Sequence, residues 1–106
     1  MSLKWPNKDP DDVLDYSIDW SRFIGTDTLS SVSWSIIDEN DIEQSWTALN
    51  VINGLQLVSE TFNDTVATIQ LGLGTNNKVY DIFCEVTLTP SNSTAKRKIR
   101  IRTQQQ

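Results

Sequence analysis

The chain has 106 residues, 38% hydrophobic and 22% charged, with a formal net charge of −5. That describes one folded soluble domain, because a split would leave two cores too small to be stable. It has no histidine and a single cysteine, Cys84, which excludes histidine-based general-base, metal and nucleophile-pair chemistry. An internal disulfide is excluded too, as fits folding in a reducing compartment. Residues 1–53 carry ten acidic and three basic side chains, residues 54–106 four acidic and six basic. An acidic chain is a poor match for sequence-independent nucleic-acid binding, and the sequence predicts neither a membrane span nor a secretory signal.

Residues 1–12 have no periodicity, and Pro6 and Pro10 push their neighbours toward extended backbone, which predicts an N-terminal arm. From Val13 the pattern turns to period two, with Leu14, Tyr16, Ile18 and Trp20 on one face of a first strand. A loop containing Gly25 leads to TLSSVSWSII, a second strand with Val32, Trp34 and Ile36 inward. DENDIEQS reads as a polar turn that Ile42 plugs to the core. WTALNVI is a short third strand ending at Asn53-Gly54, the strongest short hairpin signal. LQLVSETFND is the fourth and least regular strand. TVATIQLGL is the fifth, with Ala67, Ile69, Leu71 and Leu73 inward. KVYDIFCEVTLT is the longest, burying Tyr80, Ile82, Cys84, Val86 and Leu88. AKRKIRIRT ends the series with Ile99 and Ile101 inward. The division is an arm over 1–12, a β domain over 13–103 and a frayed tail over 104–106. About seven short strands without a helical period predict an all-β, immunoglobulin-like antiparallel β-sandwich with an extended N-terminal arm, a small barrel being the other closure. Tyr80 falls where a tyrosine corner would sit.

Few residues point to chemistry. Asp9, Asp11, Asp12, Asp15 and Asp19 supply oxygen ligands of the kind calcium takes. No glycine shapes that loop, however, and Asp15 and Asp19 lie on the outer strand face, so the group reads as a solvated surface and no metal or cofactor is expected. Lys96, Lys98, Arg100 and Arg102 alternate with Arg97, Ile99 and Ile101. Basic residues on an edge strand deter edge-to-edge pairing, and no aromatics interleave to stack on bases. They read as edge protection and a protein contact. Cys84 is a small core residue. Trp20, Trp34 and Trp46 occupy strand positions, Trp46 being the one placed for binding after a polar loop. Trp5 lies outside any period: it either folds back onto the sandwich or anchors the arm to a partner.

The stretch KWPNKDPDDVLDYSIDWS, joined to GTDTLSSVSWSI, resembles a family of small tailed-bacteriophage fibre–tail adaptors. The resemblance rests on Trp5-Pro6, Lys8-Asp9-Pro10, Leu14-Asp15-Tyr16, Asp19-Trp20, Asp27-Thr28 and the following Val32 and Trp34. It extends to the tyrosine-bearing strand and the last strand, nearly the whole chain. The family's pattern departs in LGLGTNNKVY, where two glycines replace a glycine-rich hairpin. The resemblance implies a β-sandwich virion protein of the tail, made in the host bacterial cytoplasm. It would be non-enzymatic and would join tail or connector to receptor-binding fibres as one of several copies in a ring. Its partners would be other tail, connector or fibre proteins, with no nucleic acid and no membrane. The candidate contact residues are the arm (Trp5, Pro6, Lys8, Asp9, Pro10), Trp46 and the basic positions Lys96, Lys98, Arg100 and Arg102. A second function class is a sandwich that recognises cell-surface glycan through exposed aromatics such as Trp46.

Overall fold

Two-residue alternation runs through most of the chain, and strands are what form. The computed structural model describes residues 3–5 and 8–104. Among these residues lie nine strands: β1 (Leu3–Lys4), β2 (Leu14–Asp19), β3 (Thr28–Ile37), β4 (Glu43–Trp46), β5 (Val51–Ile52), β6 (Leu55–Phe62), β7 (Val66–Leu73), β8 (Lys78–Thr89) and β9 (Thr94–Thr103). One helical turn, α1 (Ser21–Ile24), follows β2. A five-stranded sheet runs β1-β9-β8-β3-β4 and a four-stranded sheet runs β2-β7-β6-β5. All pairs are antiparallel except β1 with β9. The two sheets form a β-sandwich.

The core is the sum of the inward positions. On β8, Tyr80, Ile82, Cys84, Val86 and Leu88 are all buried, as the alternation predicts, and face Leu55, Leu57, Ala67, Ile69 and Leu71 of the other sheet, with Ile99 and Ile101 alongside. Each fully buried aliphatic side chain contributes about 1.5–3 kcal/mol. The Asn53-Gly54 turn is a two-residue hairpin loop between Ile52 and Leu55 with φ of 57° and 87°, the positive pair that asparagine and glycine tolerate best. Beside it, the Tyr80 hydroxyl donates to the Asn53 carbonyl and accepts from the Thr75 N–H, both at 2.9 Å. One buried side chain thereby ties the start of β8 to two turns.

The structure departs from the sequence reading at element ends. The expected third strand is two: Trp46 closes β4 in one sheet and Val51 opens β5 in the other, because the chain crosses the sandwich between them. Ile42 does not plug the core but is 55% exposed. Its N–H and that of Asn40 are instead held by the Asp38 carboxylate. Leu14 and Leu73 are exposed rather than inward; Leu73 sits at φ 59°, which breaks the alternation. The irregularity of the fourth strand is a bulge between Leu57 and Ser59. It brings Glu60 and Phe62 opposite the inward Ile69 and Ala67.

Gly74 (φ 112°) closes this end of the sandwich: a Cβ there would lie 2.6 Å from Thr103 Cγ2 and 3.3 Å from Leu55 Cδ1. Gly74→Ala therefore combines backbone strain with overpacking, and should lower stability by about 1–3 kcal/mol. Urea unfolding measures this, and an unchanged midpoint would contradict the packing described.

Candidate functional site

The arm runs along the open side of the sandwich. Its β1 segment pairs in parallel with Ile99 and Arg100, and the Trp5 N–H continues the ladder to the Arg100 carbonyl at 3.0 Å. From there the Trp5 ring turns inward to 8% exposure. It stacks on Tyr16 at 4.9 Å and lies 6.1 Å from Trp34, so it touches both sheets. The ring packs on its own domain, the first of the two placements open to Trp5. Pro6, named with it as a contact, lies outside the described residues.

Lys8 is the second anchor, fully buried despite its charge. Its N–H donates to the Arg102 carbonyl and its own carbonyl accepts from the Gln104 N–H. Its ammonium donates to the carbonyls of Leu73 (2.6 Å) and Asp9 (2.8 Å). The left-handed turn at Leu73 ends β7 where that carbonyl meets Lys8. Burial pulls the Lys8 pKa below its ordinary value, against the opposing charges of Asp12, Asp9 and Asp11. Asp9 and Pro10 then form a turn: the Asp12 N–H donates to the Asp9 carbonyl and the Asp11 N–H to Asp9 Oδ1, with proline at the second position where its fixed φ fits. Both are half-buried.

The basic residues divide between two faces. Lys96, Lys98, Arg100 and Arg102 lie on the outer face of the five-stranded sheet. Lys96 reaches across β8 and β3 to Glu43 at 2.8 Å and lies 4.9 Å from the Phe83 ring. Lys98 and Arg100 share Asp81 at 3.7 and 3.2 Å. Arg102 has no ion pair among the described residues. Arg97 faces the other way, over Phe23 at 4.4 Å and Trp20 at 5.6 Å, and its guanidinium donates to the Lys96 carbonyl. The edge-strand reading of this stretch needs correcting, because β1 and Lys8 cover β9 from Ile99 onward. Sequence alternation finds the outward lysines. It cannot find Phe23 as Arg97's partner, because that ring comes from α1, an element without a periodic signal.

Trp46 is buried, not exposed. It ends β4 directly opposite Trp34, and its indole N–H donates to the Asn50 carbonyl at 3.1 Å. The glycan reading therefore has no exposed Trp46 on which to rest. Burial pushes the Cys84 thiol up to about 12, the environment of an inert core cysteine. The Asp19 carboxylate accepts from the Ser21 N–H at 2.9 Å, where α1 begins. Among the described residues, no group of three or more acidic or cysteine side chains is placed to hold a metal ion.

A small β-sandwich stabilised by an inserted arm, with a cross-linked polar outer face, is the architecture of a structural module of the all-β class. Residues 8–102 match the family described as podophage GP4 fiber-tail adaptor protein gp77, and the chain belongs to that family. It is accordingly a virion component, a bacteriophage fibre–tail adaptor. No curated protein matches the chain.

Two outcomes test this site. Trp5→Ala should lower stability by about 3–5 kcal/mol, the range for a buried aromatic, in urea unfolding; a loss below about 1 kcal/mol would mean that the ring carries little of the core. Glu43 is held below its ordinary value of 4.5 by hydrogen bonds from Lys96 and then Ser35. A depressed folded value means that its contribution is complete above pH 4.5 and is lost as the pH falls through the folded value. Stability measured from about pH 6 down to about pH 3 should fall less steeply in Glu43→Gln than in the wild type.

Proposed function

We propose that the protein is a non-enzymatic adaptor that joins tail or connector to receptor-binding fibres, with the outer face of β9 as its contact surface. The family match over residues 8–102 carries this reading. An adaptor needs a rigid module and a defined face, and the ion-paired Lys96, Lys98 and Arg100, with Arg102 unpaired among the described residues, supply a row of directed donors. Trp5 and Lys8 act from inside by fixing the arm on β9. Asp9 and Pro10 turn the chain at the rim, and Pro6 belongs to the same arm. Several copies in a ring would add weak single contacts into a firm one. Folding in the host cytoplasm suits a chain whose single cysteine is buried.

The strand order supports the immunoglobulin-like assignment. β9-β8-β3-β4 corresponds to the G-F-C-C′ order of such a sandwich and β2-β7-β6 to B-E-D. Tyr80 then stands at the start of strand F, bonded to upstream backbone.

Co-purification with tail, connector and fibre subunits tests the contact. Lys98→Glu combined with Arg102→Glu should weaken the complex and remove its salt dependence, while stability changes by less than about 0.5 kcal/mol per site, as for surface positions. Undiminished co-purification of the double variant would place the contact elsewhere. Failure of the wild type to bind any of these subunits would overturn the adaptor assignment itself.

A further inference from the structure

The described sandwich has four sheet edges, and they differ in how they are protected. β1 and β5 span two residues each and β4 spans four. The part of β9 beyond β1 presents lysines, and Arg97's guanidinium already occupies the Lys96 carbonyl. β2 is the longest of the four terminal strands, six residues from Leu14 to Asp19. It bonds β7 on one side in an unbroken register, with no proline, no bulge and no lysine along it, and its only charged residues are the acidic Asp15 and Asp19. Proline, bulges and lysine are devices by which natural edges are blunted.

The hydrogen-bond parity fixes what this edge presents. The Trp20 N–H donates to the Thr65 carbonyl at 2.8 Å, in step with the β2–β7 register. In an antiparallel pair, bonded and non-bonded positions alternate. Leu14, Tyr16 and Ile18 therefore spend their backbone groups on β7, while the N–H and C=O groups of Asp15, Ser17 and Asp19 point away from it. Among the described residues no backbone bond engages those outward groups. β1 lies on the other sheet and does not cover this edge. Exposed apolar side chains flank it, Val13 (55%) and Leu14 (37%) at one end and Phe23 (52%) at the other.

Charge selects the occupant. Asp15 and Asp19 lie symmetrically about Ser17, and Asp9, Asp11 and Asp12 precede them. A second copy pairing antiparallel about Ser17 would set Asp15 against Asp19, and like charges directly opposite are destabilising. A strand with basic residues at those positions would gain the opposite term. We infer that the β2 edge is a strand-addition site for an extended basic segment of a partner protein, bound through the outward backbone groups of Asp15, Ser17 and Asp19. This deepens the adaptor reading by naming a partner chemistry, and it rests on that reading only for which protein supplies the segment.

The test is amide hydrogen exchange by NMR on the full chain, with a synthetic octapeptide of alternating lysine and threonine and a control of alternating glutamate and threonine. Alone, the Asp15, Ser17 and Asp19 amides should exchange rapidly. The lysine peptide should slow them by about tenfold or more, and the glutamate peptide should not. Ser17→Pro should abolish the effect with the fold retained, since proline is tolerated on an edge strand whose N–H faces solvent. Asp15→Lys combined with Asp19→Lys should transfer the protection to the glutamate peptide. No slowing with either peptide, equal slowing with both, or protection that rises with protein concentration alone would each overturn the inference, the last by identifying a second copy as the occupant. Loss of co-purification by the β9 double variant leaves these exchange rates unaffected, so the two readings fail independently.

Discussion

The contact of Trp5 with Tyr16 and Trp34 joins three segments that do not pair directly with one another: the arm, β2 of the four-stranded sheet and β3 of the five-stranded sheet. A sandwich with two open sides must close them with side chains or leave its core wet. Here one side is closed by the arm at one end and by Trp20, Phe23 and Arg97 at the other. The position of the arm decides much else. By lying on β9 it shortens that strand's free edge, and by carrying Lys8 to the Leu73 carbonyl it ties the far end of one sheet to the other. By joining the five-stranded sheet, it leaves β2 open.

Lys8 shows how a charge is held at such a closure. Its burial is unfavourable for the ammonium, as the lowered pKa records. Two carbonyls accept its protons and three nearby aspartates raise its affinity for them. The aspartates that resemble a metal-binding loop thus act on a lysine of the same arm. The outer face of the five-stranded sheet is organised differently, with exposed ion pairs that contribute little to stability and orient donors across four strands.

A phage adaptor gains from this arrangement. The arm, the Tyr80 tie and the Gly74 contact make the module rigid, which limits the ordering cost of docking. The two contact surfaces proposed above are one charged face and one strand edge.

Much of the fold was legible in the residues. β8 and β9 alternate without a break because each has one face in the core and one in solvent. The Asn53-Gly54 turn was legible because few other residue pairs tolerate two positive φ values. The outward row Lys96, Lys98, Arg100 and Arg102 follows from the same alternation. What resisted reading lies where period two stops: β1 is two residues long, α1 a single turn, and Leu73 flips out at its left-handed φ. Trp46 had the look of a binding residue because a polar loop precedes it, yet its burial depends on Trp34, distant in sequence. The sequence by itself determined the long strands, most of their inward faces and the Asn53-Gly54 turn, since these are set by neighbours within a few residues. Only the tertiary structure decided where the arm lies, which charges are buried and which edge is left unpaired, because those depend on long-range pairing between strands that local periodicity does not encode.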